Sequence, residues 1–128
     1  MFEIGKDDYQ IRISQGDSAS FRVEANGRCL SANDRVLFTV KNKARNARKE
    51  VVYIERVYQP DAHGSVLIEF SPIDTTKMPP GQYQWDLRYM YGVEADCAGN
   101  IVSVREIETP FEAASFRVLS TVGEVYSA

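Results

Sequence analysis

Apolar and polar residues alternate with a period of two along most of this chain. The clearest run is Gln82-Tyr83-Gln84-Trp85-Asp86-Leu87-Arg88-Tyr89. Tyr83, Trp85, Leu87 and Tyr89 fall on one face, and Gln82, Gln84, Asp86 and Arg88 on the other, the mark of a strand half buried against a core. A helix would scatter four such large side chains around its circumference. Met78-Pro79-Pro80-Gly81 makes a stiff turn in front of the run. The only Trp of the chain lies in it, which predicts a strand through the middle of the sheet.

Shorter runs repeat the pattern. Tyr9, Ile11 and Ile13 alternate with Gln10 and Arg12; Ala19, Phe21 and Val23 with Ser20, Arg22 and Glu24; Val36, Phe38 and Val40 with Leu37 and Thr39. Val51 to Tyr58 is β-branched and aromatic, with an ambiguous buried face. Val66, Ile68 and Phe70 form another strand face, Ile101 to Ile107 another run, and Ala114, Phe116 and Val118 the last. Gly16-Asp17, Asn26-Gly27, His63-Gly64, Tyr91-Gly92 and the loop through Asp96, Gly99 and Asn100 supply turns between them. Ser71 to Met78, with a Pro, an Asp and two Thr, suits one helical turn crossing from one sheet to the other. Roughly eight short strands at this spacing predict an all-β fold, a two-sheet antiparallel β-sandwich over residues 1–128 as a single domain. An aromatic strand packed across a two-sheet core resembles immunoglobulin-like architecture, with a closed barrel as the alternative. Phe21, Phe38, Tyr83, Trp85, Leu87 and Phe116 are the expected structural core.

Composition narrows the function classes. The 128 residues are 44% apolar and 26% charged, enough for a core without disulfide or metal staples. A net charge of −3 argues against a dedicated nucleic-acid binder, which would show a basic excess. No apolar run approaches the roughly 20 residues of a membrane-spanning helix. The acidic start, Met1 to Asp8, does not read as a signal peptide, so synthesis in the cytoplasm and free thiols at Cys29 and Cys97 are expected, with a disulfide between the two as the other case.

Candidate chemistry is sparse. His63 is the only histidine, so any Ser-His-Asp or Cys-His arrangement would pass through it, and Asp61-Ala62-His63-Gly64 reads as a hairpin tip. Two cysteines and one histidine, with no Cys-x-x-Cys pair, do not fill a structural zinc site without a carboxylate. Glu94, Asp96 and Asn100 could ligate calcium only loosely, and an ordinary hairpin loop uses the same residues. Asp86, between Trp85 and Leu87, lies on the face opposite the Trp. No catalytic, cofactor-binding or metal residue is assigned, and no cofactor. The one dense charge run is Lys41, Lys43, Arg45, Arg48 and Lys49. It reads either as a solvated loop or as a surface for an acidic partner; no aromatic is interleaved for base stacking.

The order of turns and strands resembles a group of small immunoglobulin-like modules of phages and prophages of Gram-positive bacteria, similar to the N-terminal domain of the siphophage upper baseplate protein. Gln15-Gly16-Asp17-Ser18-Ala19-Ser20-Phe21 matches its opening turn and strand, Asn26-Gly27 its next turn, and Val36-Leu37-Phe38-Thr39-Val40-Lys41 the following strand. Ser71-Pro72-Ile73-Asp74 matches its crossover, Pro80-Gly81-Gln82-Tyr83-Gln84-Trp85-Asp86-Leu87 its central strand, and Phe116-Arg117-Val118 its closing strand. The likeness covers roughly residues 10 to 120 and rests mainly on the turns and alternation that such sandwiches share. It implies a non-enzymatic structural module of a phage or prophage particle, in the tail or baseplate, and hence a virion protein made in the host cytoplasm. Its partners would be other virion structural proteins, with neither nucleic acid nor membrane, and an oligomer of the chain itself is compatible with that role. The docking surface would be an edge strand or the Lys41–Lys49 loop. The alternative is an immunoglobulin-like module recognising a glycan or cell-surface protein, for which Tyr53, Tyr58 or Tyr91 would have to be exposed.

Overall fold

The computed structural model describes residues 1–25, 29–42 and 51–120. Among them, nine strands and one short helix follow in chain order: β1 (Phe2–Ile4), β2 (Ile11–Ser14), β3 (Ala19–Glu24), β4 (Arg35–Asn42), β5 (Val52–Tyr58), β6 (Ser65–Phe70), α1 (Pro72–Thr76), β7 (Gly81–Ala95), β8 (Ile101–Glu108) and β9 (Ala114–Leu119). Seven strands form one sheet in the order β1-β2-β9-β7-β4-β5, with β8 paired to β7 beside this path. β3 and β6 form a second sheet of two strands. Neither sheet closes into a barrel.

The large sheet is mixed, which corrects the expectation of a purely antiparallel sandwich. β2 runs parallel to β9, with Ile11 opposite Phe116 and Ser14 opposite Leu119. Alternation reports which face a residue occupies and carries no strand direction. No hairpin joins these two segments, so nothing local sets their polarity. The ninth strand is β1, three residues too short to show a period. Tyr9, expected to open a strand, instead precedes β2 with a φ of 56°.

β7 lies inside the sheet, as its Trp predicts. Trp85 stands opposite Val40 on β4 and Ala114 on β9. Tyr83, Trp85, Leu87, Tyr89 and Tyr91 are buried along one face. Against them comes the apolar face of the small sheet. Phe21 of β3 packs edge-on to Trp85 at 5.8 Å, and Phe70 of β6 stacks on Phe38 at 5.6 Å and meets Phe116 at 5.8 Å. Phe38, Trp85 and Phe116 are at most 2% exposed, whereas Phe21 is half-buried. Of the six expected core residues, five are therefore buried and Phe21 is half-buried, packed against them.

The crossover between the sheets is α1, where a single turn was expected. Ser71 caps it: its hydroxyl accepts from the Asp74 amide at 3.4 Å, and the Asp74 carboxylate accepts from the Ser71 amide at 2.8 Å. Pro72 fits the first turn because its missing N–H would have no helical partner. Asp74 also receives two bonds from the Arg56 guanidinium of β5, at 2.8 and 2.5 Å. Thr75 does similar work on the other side. Its fully buried hydroxyl donates to the Asp17 carbonyl at 2.8 Å and accepts from the Gly16 amide at 3.0 Å. The five-residue helix thus ties the edge strand β5 to the β2–β3 turn.

Two predictions follow from these contacts. Trp85→Ala removes the ring on which both sheets close, and it should lower stability by roughly 3 to 5 kcal/mol in a denaturant titration. Arg56 holds the Asp74 carboxyl below its usual range, more than offsetting burial, with help from Ser71. The Ser65 and His63 amides hold Asp61 down to about 2. Stability from these groups is present in full above the unfolded carboxyl value of 3.8 and is lost as pH falls through the lower folded values. The urea midpoint should therefore fall between pH 5 and pH 2. Asp74→Asn should cost about 1 to 3 kcal/mol at pH 7 and flatten that acid limb.

Candidate functional site

The closing edge of the large sheet is broken, and the break builds two surfaces. β8 pairs with β7 down to Glu108 opposite Tyr89, and β9 resumes with Ala114 opposite Trp85. Between them, Thr109 to Ala113 leave the ladder. Pro110 has no N–H to offer it, and Phe111 turns inward to meet the Trp85 ring edge-on at 5.1 Å.

The first surface is a groove of about 540 Å³ at this break, within the range of small-molecule sites. Its walls are the consecutive residues Phe21 to Glu24 of β3 and Glu108 to Phe111, and its floor is the Trp85-Leu87-Tyr89 face. Tyr9 lies at the rim, stacked on Phe111 with centroids 4.5 Å apart and planes 21° from parallel. Its carbonyl accepts from the Trp85 indole N–H at 2.9 Å. Left-handed backbone is uncommon for a bulky residue, and here this bond and the stacking hold it. Of the polar residues in the groove, Arg22 turns away to Asp61 at 3.1 Å and Ser65 at 3.3 Å. Glu108 accepts from the Tyr91 hydroxyl at 3.4 Å, and the Tyr89 hydroxyl donates to the Glu24 carbonyl at 3.4 Å. Burial pushes the Tyr89 phenol up to about 12, so it stays a donor through the neutral range.

The second surface is the ribbon of β8 and the distal part of β7. β7 does not stop at Gly92, where the turn signal suggested an end. It passes through with a φ of 64°, and the Gly92 amide donates to Asp34 at 3.0 Å while the Val93 amide donates to the Asn33 carbonyl at 2.8 Å. The Ser31–Asp34 turn, with the Asp34 carboxylate accepting from the Ser31 amide at 2.8 Å, therefore braces the root of the ribbon. The sequence signal was present, since a Ser-x-Asn-Asp cluster reads as an Asx-type turn. Its distant partner was not. Two apolar side chains of β8 are prominent: Val102, beyond this root, is 63% exposed, and Ile107, opposite Met90, is 57% exposed. Among the described residues, β8 has a ladder partner on one side only.

The sequence candidates are distributed differently. Lys41 is the last residue but one of β4, opposite Val52 and Gln84, while Lys43, Arg45, Arg48 and Lys49 lie outside the described residues. Tyr91 is 1% exposed and is withdrawn as a contact residue; it points inward on β7. Tyr53 and Tyr58 are half-buried, the first edge-on to Tyr83 at 5.0 Å and the second donating to the Glu69 carbonyl at 3.2 Å. His63 is exposed in the turn whose amides Asp61 collects. Asp96 likewise accepts from the Ala98 and Asn100 amides, at 3.0 and 2.9 Å. Among the described residues no three His, Cys, Asp or Glu side chains are grouped to hold a metal ion. Cys29 and Cys97 are unpaired and exposed. Compared with protein-family models and with curated proteins, the sequence matches none.

The ribbon's root gives a sharp prediction. A Cβ on Gly92 would lie 3.0 Å from the Arg105 Cβ, in a left-handed conformation. Gly92→Ala should cost about 1 to 2 kcal/mol and speed amide hydrogen exchange in β8 before the rest of the sheet.

Proposed function

We propose that this chain is a non-enzymatic, immunoglobulin-like docking module of a phage or prophage particle, in the tail or baseplate. The observation that carries the docking role is β8, an exposed strand that among the described residues has a ladder partner on one side only and presents two prominent apolar side chains. Such an edge is a template for a partner strand. The immunoglobulin-like reading is supported by the strand order. β9-β7-β4-β5 facing β3-β6 can be read as the G-F-C-C′ and B-E strands of a variable-type sandwich, with α1 at the E-to-F crossover. The departures are the β8 extension of the closing edge and a two-stranded second sheet. The particle assignment rests on the resemblance from Gln15 to Val118 described above. In a particle, the partners would be neighbouring structural proteins arranged with symmetry.

Mass spectrometry of particles induced from the encoding strain tests the assignment: peptides of this chain are expected, and purified particles without it would overturn it. The docking edge is tested by Val102→Lys with Ile107→Lys, which should lower incorporation into particles about tenfold or more. The denaturation midpoint should move little, because both residues are exposed. If charge reversal at Lys43, Arg45 and Lys49 abolishes incorporation and the β8 variant does not, the docking surface is the basic segment.

A further inference from the structure

The geometry points to a saccharide-binding site in the groove at the strand break, with Tyr9 as its platform and the Glu108 carboxylate as its hydrogen-bonding group. It stands apart from the docking role and does not depend on the particle assignment. The first observation is the strain at Tyr9, the one positive-φ residue other than glycine among those described. Strain retained in a folded protein clusters where a side chain must be presented in a set direction. Here the result is a ring 42% exposed yet fixed, braced behind by Phe111 and tied through its carbonyl to Trp85.

The second observation is the number of ring faces that remain open. Trp85 and Tyr89 are 2% and 4% exposed, Phe111 is covered by Tyr9, and Phe21 is stacked on Phe2. A cage for a quaternary ammonium needs several converging aromatic faces, and this groove offers one. A single flat apolar face suits a pyranose ring, whose axial C–H groups form an apolar side while its hydroxyls project around the rim. Those hydroxyls need an acceptor near the platform, and Glu108, whose carboxylate accepts from the Tyr91 hydroxyl, lines the same groove.

The third observation is charge. Arg22 and Glu24 fall on the outer face of β3, where Arg22 is engaged by Asp61, so the charge left at the groove is the Glu108 carboxylate. An anionic sugar would meet like charge, which disfavours sialylated or phosphorylated glycans and selects neutral hexoses or N-acetylhexosamines.

The single Trp makes the test direct, because the full-length chain has one indole N–H resonance and that group donates to the Tyr9 carbonyl. Chitotriose, cellotriose, maltotriose and mannotriose would each be titrated to ~10 mM, a range that captures weak millimolar binding. At least one should move the indole resonance saturably, and 3′-sialyllactose should not. Tyr9→Gly removes the platform, accepts the positive φ and keeps the carbonyl; it should weaken binding about tenfold or more. Tyr9→Phe should retain binding, and Glu108→Gln should weaken it. No saturable shift with any of the four neutral sugars would overturn the proposal. Undiminished binding in Tyr9→Gly would overturn it as well.

Discussion

The small sheet cannot exist by itself. Two strands of six residues form a marginal hairpin-like pair in water, and β3 and β6 are not even consecutive. What holds them is the ring cluster in which Phe21, Phe70, Phe38, Trp85 and Phe116 meet across the sandwich at 5.6 to 6.3 Å. Aromatic burial of this kind contributes both area and preferred edge-to-face geometry. Every other feature hangs from it. Because Phe21 is fixed against Trp85, the β3 backbone beyond it, Arg22 to Glu24, becomes a rigid wall. Because Phe70 is fixed against Phe38, the chain leaving β6 must cross at α1.

A second consequence comes from the opposite edge. β7 is fifteen residues long, and no single neighbour follows it throughout on the closing side. β9 covers its first part and β8 its last, with Pro110 and Phe111 between them. The gap opens the groove, and the separate course of β8 exposes the ribbon. One interruption of one ladder thus creates both candidate surfaces. Phe111 makes the interruption tolerable, since its ring occupies apolar space over Trp85 that a continuous strand would otherwise fill.

Faces were legible in the sequence because they depend on local period alone. The alternation on β4 and β7 assigned Val36, Phe38, Val40, Tyr83, Trp85 and Leu87 to the core, and all six are buried. The one-turn crossover was legible for a similar reason, since Ser, Pro and Asp at fixed offsets make a cap on their own. What stayed hidden was pairing at long range. Nothing beside Ile11 announces that Phe116 will run parallel to it. Nothing beside Arg56 announces Asp74, or beside Thr75 the Gly16 turn. Gly92 was misread because a glycine that ends a strand and one that lets it pass over Asp34 look alike locally. Tyr9 was misread for the opposite reason: a tyrosine in an alternating run argues for a strand, and the distant indole of Trp85 and ring of Phe111 hold it elsewhere. The groove depends on these unreadable contacts, so the sequence offered scattered polar residues and no site.

The two surfaces also differ in how they limit their partners. An open, apolar strand edge invites indiscriminate pairing, and proteins blunt such edges with charge and bulges. β8 carries both: the register with β7 shifts between Glu94 and Ala95, and Arg105, Glu106 and Glu108 punctuate its apolar residues. The Arg105 side chain packs over Gly92, with its Nε 3.1 Å from where a Cβ there would lie, so part of that charge is directed back across the ribbon. Such an edge resists stacking of copies into an open-ended array. It favours a partner whose strand matches the kinked course and supplies complementary charge. In the proposed site, selectivity would come from rigidity instead, through one aromatic face fixed by a strained backbone and the Glu108 carboxylate. A module carrying both could be held in an assembly through its ribbon while the groove, on the other side of the strand break, stays open to solvent.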